Sequence, residues 1–288
     1  MRLSTSTCLV FNRPGGRKAS IEDCIRLCAG AGYTVMDMNF HDCATFETPL
    51  WHSGWESWVH TINETAQTYG IEFSQAHSHF YNYCDPAITG RDVYDEKIRR
   101  GIIGAGILGI PWTVIHAATD FGSATPVASS KKKALEYFKP LLELAAEHNV
   151  GIAIENLWEL NISPQRRYTT TAEELVDLVD SLPFSNVGIC WDAEHADIMQ
   201  QDQLAALSLV GDRLKATHIS DNKGRYFDHL LPFAGTTDWP AVMKALKAVG
   251  YSGDFTYEVL HYIDNTPDEL VPGALRYSVD IGNYLLSL

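Results

Sequence analysis

Gly151-Ile152-Ala153-Ile154-Glu155 is the stretch whose reading decides the fold. It is a short apolar run that ends on a carboxylate, and an amphipathic stretch at 172–181 follows it. Working outward, the same unit recurs along the chain. Strands are expected at 3–10, 33–38, 71–77, 112–116, 151–155, 187–192, 214–219 and 254–259. Helical patterns are expected at 19–31, 55–69, 94–108, 131–149, 172–181 and 239–249, with a last helix in 267–286. Thr171 before Ala172-Glu173-Glu174 reads as an N-cap with acids in the first turn. Gly32, Gly70, Gly109 and Gly250 stand where helices should stop. Strands alternating with helices imply a parallel sheet, and eight units in 288 residues fit a closed (β/α)8 TIM barrel in one domain, 1–288. An open doubly wound sheet is the rival. Its G-x-G-x-x-G fingerprint is missing from the first turn, which reads Asn12-Arg13-Pro14-Gly15-Gly16.

The polar residues that close these runs carry the chemistry. In a parallel barrel the C-terminal strand ends converge on one mouth. Six runs end on metal-capable side chains: His77, His116, Glu155, Asp192, His218 and Glu258. A charged group at the end of an apolar strand costs several kcal/mol if left dry and unpaired. Glu155, Asp192, His218 and Glu258 come from four consecutive strands. With neighbouring strands ~4.8 Å apart, their tips can share one ion. Three carboxylates and one imidazole favour Mn²⁺, with Mg²⁺ or Co²⁺ as alternatives, over a thiolate-type zinc site. Structural salt bridges are the plain alternative, but few Lys or Arg stand beside these four residues in the sequence.

Composition narrows the partners. Lys+Arg total 22 against 36 Asp+Glu, a net charge of −14. Such a surface repels phosphate polymers and anionic lipid heads, so no nucleic acid or membrane partner is expected. No run approaches the ~20 apolar residues of a membrane helix, and the N-terminus lacks a signal-peptide pattern. The six cysteines include no C-x-x-C pair and read as buried, reduced thiols. A cytoplasmic location is the expectation. Barrels of this kind often pair, which leaves a homo-oligomer open.

The chain resembles the xylose isomerase-like (β/α)8 superfamily. The resemblance runs over most of the sequence and rests on Ile154-Glu155-Asn156, Trp191-Asp192-Ala193-Glu194-His195-Ala196, His218-Ile219-Ser220-Asp221 and Asp228-His229…Gly235-Thr236-Thr237-Asp238-Trp239. The superfamily includes sugar and sugar-phosphate isomerases, ketose 3-epimerases, inosose dehydratases and endonuclease IV-type repair enzymes. Similarity to the ketose 3-epimerases implies Glu155, Asp192, His218 and Glu258 as metal ligands. It also implies Glu155 and Glu258 as proton carriers, His195 as a substrate-binding histidine and Arg225 as a grip on a substrate oxygen. The nuclease branch implies three zinc ions on nine ligands. His77, His116, Glu155, Asp192, His195, His218, His229 and Glu258 match eight. The ninth, an Asp two before His229, is here Phe227.

The expected reaction is proton transfer beside a carbonyl through an enediolate, isomerising or epimerising a sugar, sugar phosphate or related polyol. A keto-inositol dehydratase and an endonuclease IV-type zinc nuclease are the alternatives. His77 and His116 are candidate substrate contacts, a second metal or a structural hydrogen bond being their other readings. Glu159 is a candidate for a sugar hydroxyl and His229 for a pocket role, while Asn156 should orient its loop. Trp112, Trp158 and Trp191 are candidates to stack on a sugar face, core packing being as good an account of Trp191. His79 reads as a solvent or loop residue. Two loops, Asn12–Lys18 and Gln165-Arg166-Arg167, offer arginines to a phosphate, or are solvated turns.

Overall fold

The computed structural model describes residues 1–159, 166–224 and 227–288. The apolar runs form eight parallel strands: β1 (Arg2–Ser6), β2 (Val35–Asn39), β3 (Glu72–His77), β4 (Trp112–His116), β5 (Gly151–Glu155), β6 (Val187–Asp192), β7 (Leu214–His218) and β8 (Asp254–Tyr257). The order follows the chain from β1 to β7, with β8 beside β1. Ile219 completes the ring. Its N–H donates to the Thr256 carbonyl at 2.8 Å, and its carbonyl accepts the Glu258 N–H at 3.1 Å. This closure fixes the backbone of Glu258 one residue from His218.

Eight outer helices follow the strands: α1 (Ile21–Ala31), α2 (Trp55–Tyr69), α3 (Arg91–Ile107), α4 (Pro126–Glu147), α5 (Ala172–Asp180), α6 (Gln203–Val210), α7 (Trp239–Ala248) and α8 (Val271–Ser287). The main core lies between these helices and the sheet. Thr171 caps α5 by accepting the Glu174 N–H, and the four expected helix-stop glycines all have positive φ.

Three expectations need correction. The first strand ends at Ser6, not at residue 10, because Cys8–Phe11 turns into a short, wholly buried helix. An all-apolar run fits a buried helix as well as a strand, and periodicity alone cannot separate them. α6 was not expected, since Gln203–Val210 is apolar with little one-sidedness. Short helices Phe40–Thr45 and Ala193–Ile198 also interrupt the loops above β2 and β6. All six cysteines are free and buried. No helix among the described residues is long and apolar enough to cross a membrane.

Inside the barrel, Val114, Ala153, Cys190 and Ala216 form a small separate cluster. Side chains alternate along a strand, so the residue two further on each strand faces inward too. Those residues are His116, Glu155, Asp192 and His218.

Candidate metal centre at the barrel mouth

The register of the sheet brings the strand tips together in two level pairs, the second two residues further along, since Glu155 itself lies beside Cys190. His116 pairs with Glu155, and Asp192 with His218. One ligand atom from each of Glu155, Asp192, His218 and Glu258 lies within 4.8 Å of the others, and all four residues are buried. His218 Nδ1 is 3.1 Å from a Glu155 oxygen and 3.3 Å from a Glu258 oxygen. Yet His218 Nδ1, Glu155 Oε1 and Asp192 Oδ2 make no hydrogen bond. Buried polar atoms are nearly always paired. Atoms that converge at short range without hydrogen-bond geometry have the arrangement of ligands around a shared centre.

Electrostatics agrees. Burial, then the nearby Glu155 charge, pushes both Asp192 and Glu258 well above the ordinary carboxylate range. Burial opposes ionisation of Glu155 as well, but His218 and His116 outweigh it and hold that carboxyl well below its usual value. Three carboxylates crowded this way need either a proton or a cation among them. The donor set therefore fits a hard divalent ion.

Neighbouring residues orient these groups. Asn156 is fully buried and clasps the Asp192 backbone: its Oδ1 accepts the Asp192 N–H at 2.7 Å and its Nδ2 donates to the Asp192 carbonyl at 2.9 Å. Asp192 Oδ1 accepts the His195 N–H at 2.7 Å, which points Oδ2 the other way. His195 Nδ1 bonds the Asn156 carbonyl at 2.8 Å, and His229 Nδ1 bonds the Glu258 carbonyl at 2.9 Å. In each ring Nδ1 thus carries the proton, and Nε2 is buried without a partner. His116 Nε2 is 2.9 Å from Glu155 Oε2, and His77 Nε2 is 3.4 Å from the same oxygen.

A cavity of about 470 Å³ opens above this cluster, lined by His77, His116, Glu155, His195, His229 and Glu258, with aromatic walls Phe46, Phe80, Trp158 and Phe227. Phe80 stacks on His116 with centroids 3.8 Å apart. Phe227, which stands where the nuclease pattern has its ninth ligand, packs on Trp158 at 4.4 Å and edge-on to His229 at 4.1 Å. Here that position supplies a wall in place of a carboxylate, so the full nine-ligand set is not met.

Not every candidate gathers here. Arg225 and Gln165 lie outside the described residues. Glu159 is half-buried on the loop beyond Trp158 and is not among the residues lining the cavity. Trp112 starts β4, at the far end from the mouth, and packs over Gly151, where a Cβ would come within 2.3 Å of its ring. Trp191 is core, its Nε1 donating to Gln203 at 2.8 Å. His79 is buried, not solvated, and pairs with His41 at 3.2 Å. Arg13 and Arg17 are tied to Asp268, and Arg166 to Glu174.

Sequence reasoning missed two organisers of the mouth. Glu194 is buried and accepts from Ser220 Oγ and from the Asp228 and His229 N–H groups, holding His229 at φ 47, in the left-handed region that a histidine seldom adopts. Burial raises its carboxyl to about 7. Asp221 accepts from the N–H groups of Asn222, Phe233, Gly235 and Thr237 and from Trp239 Nε1, which knits the loop after β7. Gly235 is required there, because a Cβ would lie 2.2 Å from the Asn222 carbonyl oxygen. The only signal was position: the two acids stand two and three residues past a strand end.

The fold and the mouth together define a (β/α)8 barrel whose last four strands present a carboxylate-rich, metal-capable cluster. The chain belongs to the xylose isomerase-like TIM barrel family, whose model matches residues 25–278. It is 32% identical to the uncharacterized protein y4fM of Sinorhizobium fredii over 209 residues, 69% of this chain and 63% of that one. It is 27% identical to a D-psicose 3-epimerase of Enterocloster bolteae over 154 residues, 53% of this chain and 46% of the other. The matches thus span about half to two thirds of these relatives. The solved IOLI protein with a binding zinc atom superposes with a TM-score of 0.79 at 20% identity, over 100% of both chains, a likeness of fold.

Proposed function

We propose that this protein, as one barrel domain over 1–288, is a divalent-metal-dependent isomerase or epimerase of a small sugar, sugar phosphate or related polyol. The observation that carries the proposal is the pair of carboxylates, Glu155 and Glu258, flanking His218 Nδ1 at 3.1 and 3.3 Å beneath an aromatic-walled cavity. The 3-epimerase named among the relatives supports the reaction class. Glu155, Asp192, His218 and Glu258 would hold the ion; Mn²⁺ suits this donor set best, Mg²⁺ or Co²⁺ next, and Zn²⁺ would accompany the nuclease alternative. When bound, the cation supplies Lewis-acid polarisation of the substrate carbonyl and offsets the charge of the three carboxylates.

The chain's own residues do the rest. A ketose or aldose lies in the cavity with its carbonyl toward the strand tips. One of Glu155 and Glu258 takes the proton from the adjacent carbon, leaving an enediolate. The other returns a proton, to the opposite face of the same carbon in epimerisation or to its neighbour in isomerisation. His195 and His229, each with Nδ1 bonded to a backbone carbonyl, turn acceptor Nε2 atoms toward substrate hydroxyls. His77 and His116 face the substrate from the other side, and the aromatic walls exclude water from the enediolate.

Solvent-deuterium wash-in tests this. The full chain with Mn²⁺ in D₂O should label the carbon beside the carbonyl of at least one ketose or inosose in a panel. No label with any member, or sugar bound and released unlabelled, overturns the proposal.

A further inference from the structure

Among the described residues lining the cavity, Arg167 alone is a lysine or arginine. Other described cations of the two arginine-bearing loops are paired. Arg166 pairs with Glu174 and Thr170, Arg13 and Arg17 clamp Asp268, and Lys18 donates to Asn12. Arg167 has no carboxylate at ion-pair distance, neither Glu155 nor Glu258 included, and its guanidinium donates no hydrogen bond to the described residues. It rests on Trp158, its Cζ 4.6 Å from the ring centroid. The backbone on either side is pinned. Arg166 is anchored on α5, the Tyr168 N–H donates to Thr119 Oγ1 at 2.8 Å, and Thr169 is held at φ 63, a conformation β-branched residues avoid. A guanidinium stacked on an indole loses little further freedom on binding and keeps its N–H edge for a ligand.

We propose that Arg167 receives an oxyanion carried by the substrate, a carboxylate or a phosphate ester, away from the proton-transfer carboxylates. The substrate is then an acidic or phosphorylated sugar in preference to a neutral one. Against the carboxylates Asp42, Glu155 and Glu258 that share this cavity, in a chain of net charge −14, the guanidinium supplies a local attraction for an anion. Both oxyanions accept the two-pronged guanidinium bond, so the chemistry is shared. This inference rests on reading the cavity as a sugar site.

Titration calorimetry of the full chain with D-fructose, D-fructose 6-phosphate and D-fructuronate reads binding without turnover. At least one of the two anionic sugars should bind about tenfold or more tightly than D-fructose, and which one does separates phosphate from carboxylate. Arg167→Gln should remove most of that preference, bringing the anionic sugar to within about threefold of D-fructose. Arg167→Lys, which keeps the charge but not the fork, should shrink it less, and it decides the matter should the glutamine variant not fold. Binding of none of the three, equal affinity for all, or an unchanged preference in the variants overturns the inference. Deuterium wash-in run in parallel separates the two claims. Exchange without anion preference sinks only the role of Arg167; anion preference without exchange sinks only the isomerase reading.

Discussion

Val114, Ala153, Cys190 and Ala216 stand two residues below His116, Glu155, Asp192 and His218 on the same four strands. Backbone, register and inward direction are shared, and only the side chains differ. The lower layer is small, apolar and buried. It serves packing. The upper layer buries carboxylate and imidazole atoms that no hydrogen bond satisfies. Left without a proton or a cation it opposes folding, and it is the layer proposed to serve chemistry. One scaffold thus holds a stabilising layer and a destabilising one about 7 Å apart, at a rise of 3.3 Å per strand residue.

Disabling the upper layer should give the largest effect. Glu155→Gln and Glu258→Gln should each lower turnover by roughly 10²–10⁴ with circular dichroism unchanged. The Glu258→Gln protein, stripped of metal, should melt later than the stripped parent, by ~0.5–2 kcal/mol, since a buried repulsion is gone. Retention of more than about a tenth of the activity in either variant removes that residue from proton transfer. Filling the layer with metal comes next. Manganese at one hundred times its Kd should stabilise the chelator-treated chain by about 2.7 kcal/mol, read as a rise in melting temperature, and chelation should abolish wash-in. The lower layer is a packing matter. Ala153→Leu should cost ~1–3 kcal/mol by overpacking, and turnover per folded molecule should fall as Glu155 is displaced. The smallest effect should come from Thr171→Ala, which belongs to neither layer and should cost about 1 kcal/mol through the lost cap, with turnover unaffected.

The contrast between layers also explains what could be read in advance. Glu155, Asp192, His218 and Glu258 were legible because a charge that ends an apolar run is costly and local, visible within five residues. Strands β4, β5 and β6 kept their expected bounds for the same reason. Cys8–Phe11 misled because an apolar tetrapeptide carries no period. Glu194 and Asp221 carry no local signal of their role, because their partners, Asp228 and His229 for one and Phe233 to Trp239 for the other, are brought to them only by the closed loop after β7. Trp112 lies at the wrong end of its strand for a sugar contact, and His79, in a loop as expected, is buried and not solvated, because position in sequence does not say which neighbour a side chain meets. Phe80 and His41, which build one wall of the cavity, carry no sequence signal of that position.

Glu155, Asp192, His218 and Glu258 are proposed to coordinate one hard divalent cation. Anomalous diffraction at the manganese edge, from crystals grown with that ion, tests it directly. The account predicts a single strong anomalous peak bonded to an oxygen of each carboxylate and to His218 Nδ1, lost in Glu258→Gln crystals or much weakened. A peak elsewhere, or none at the mouth with the four side chains turned apart, would contradict it.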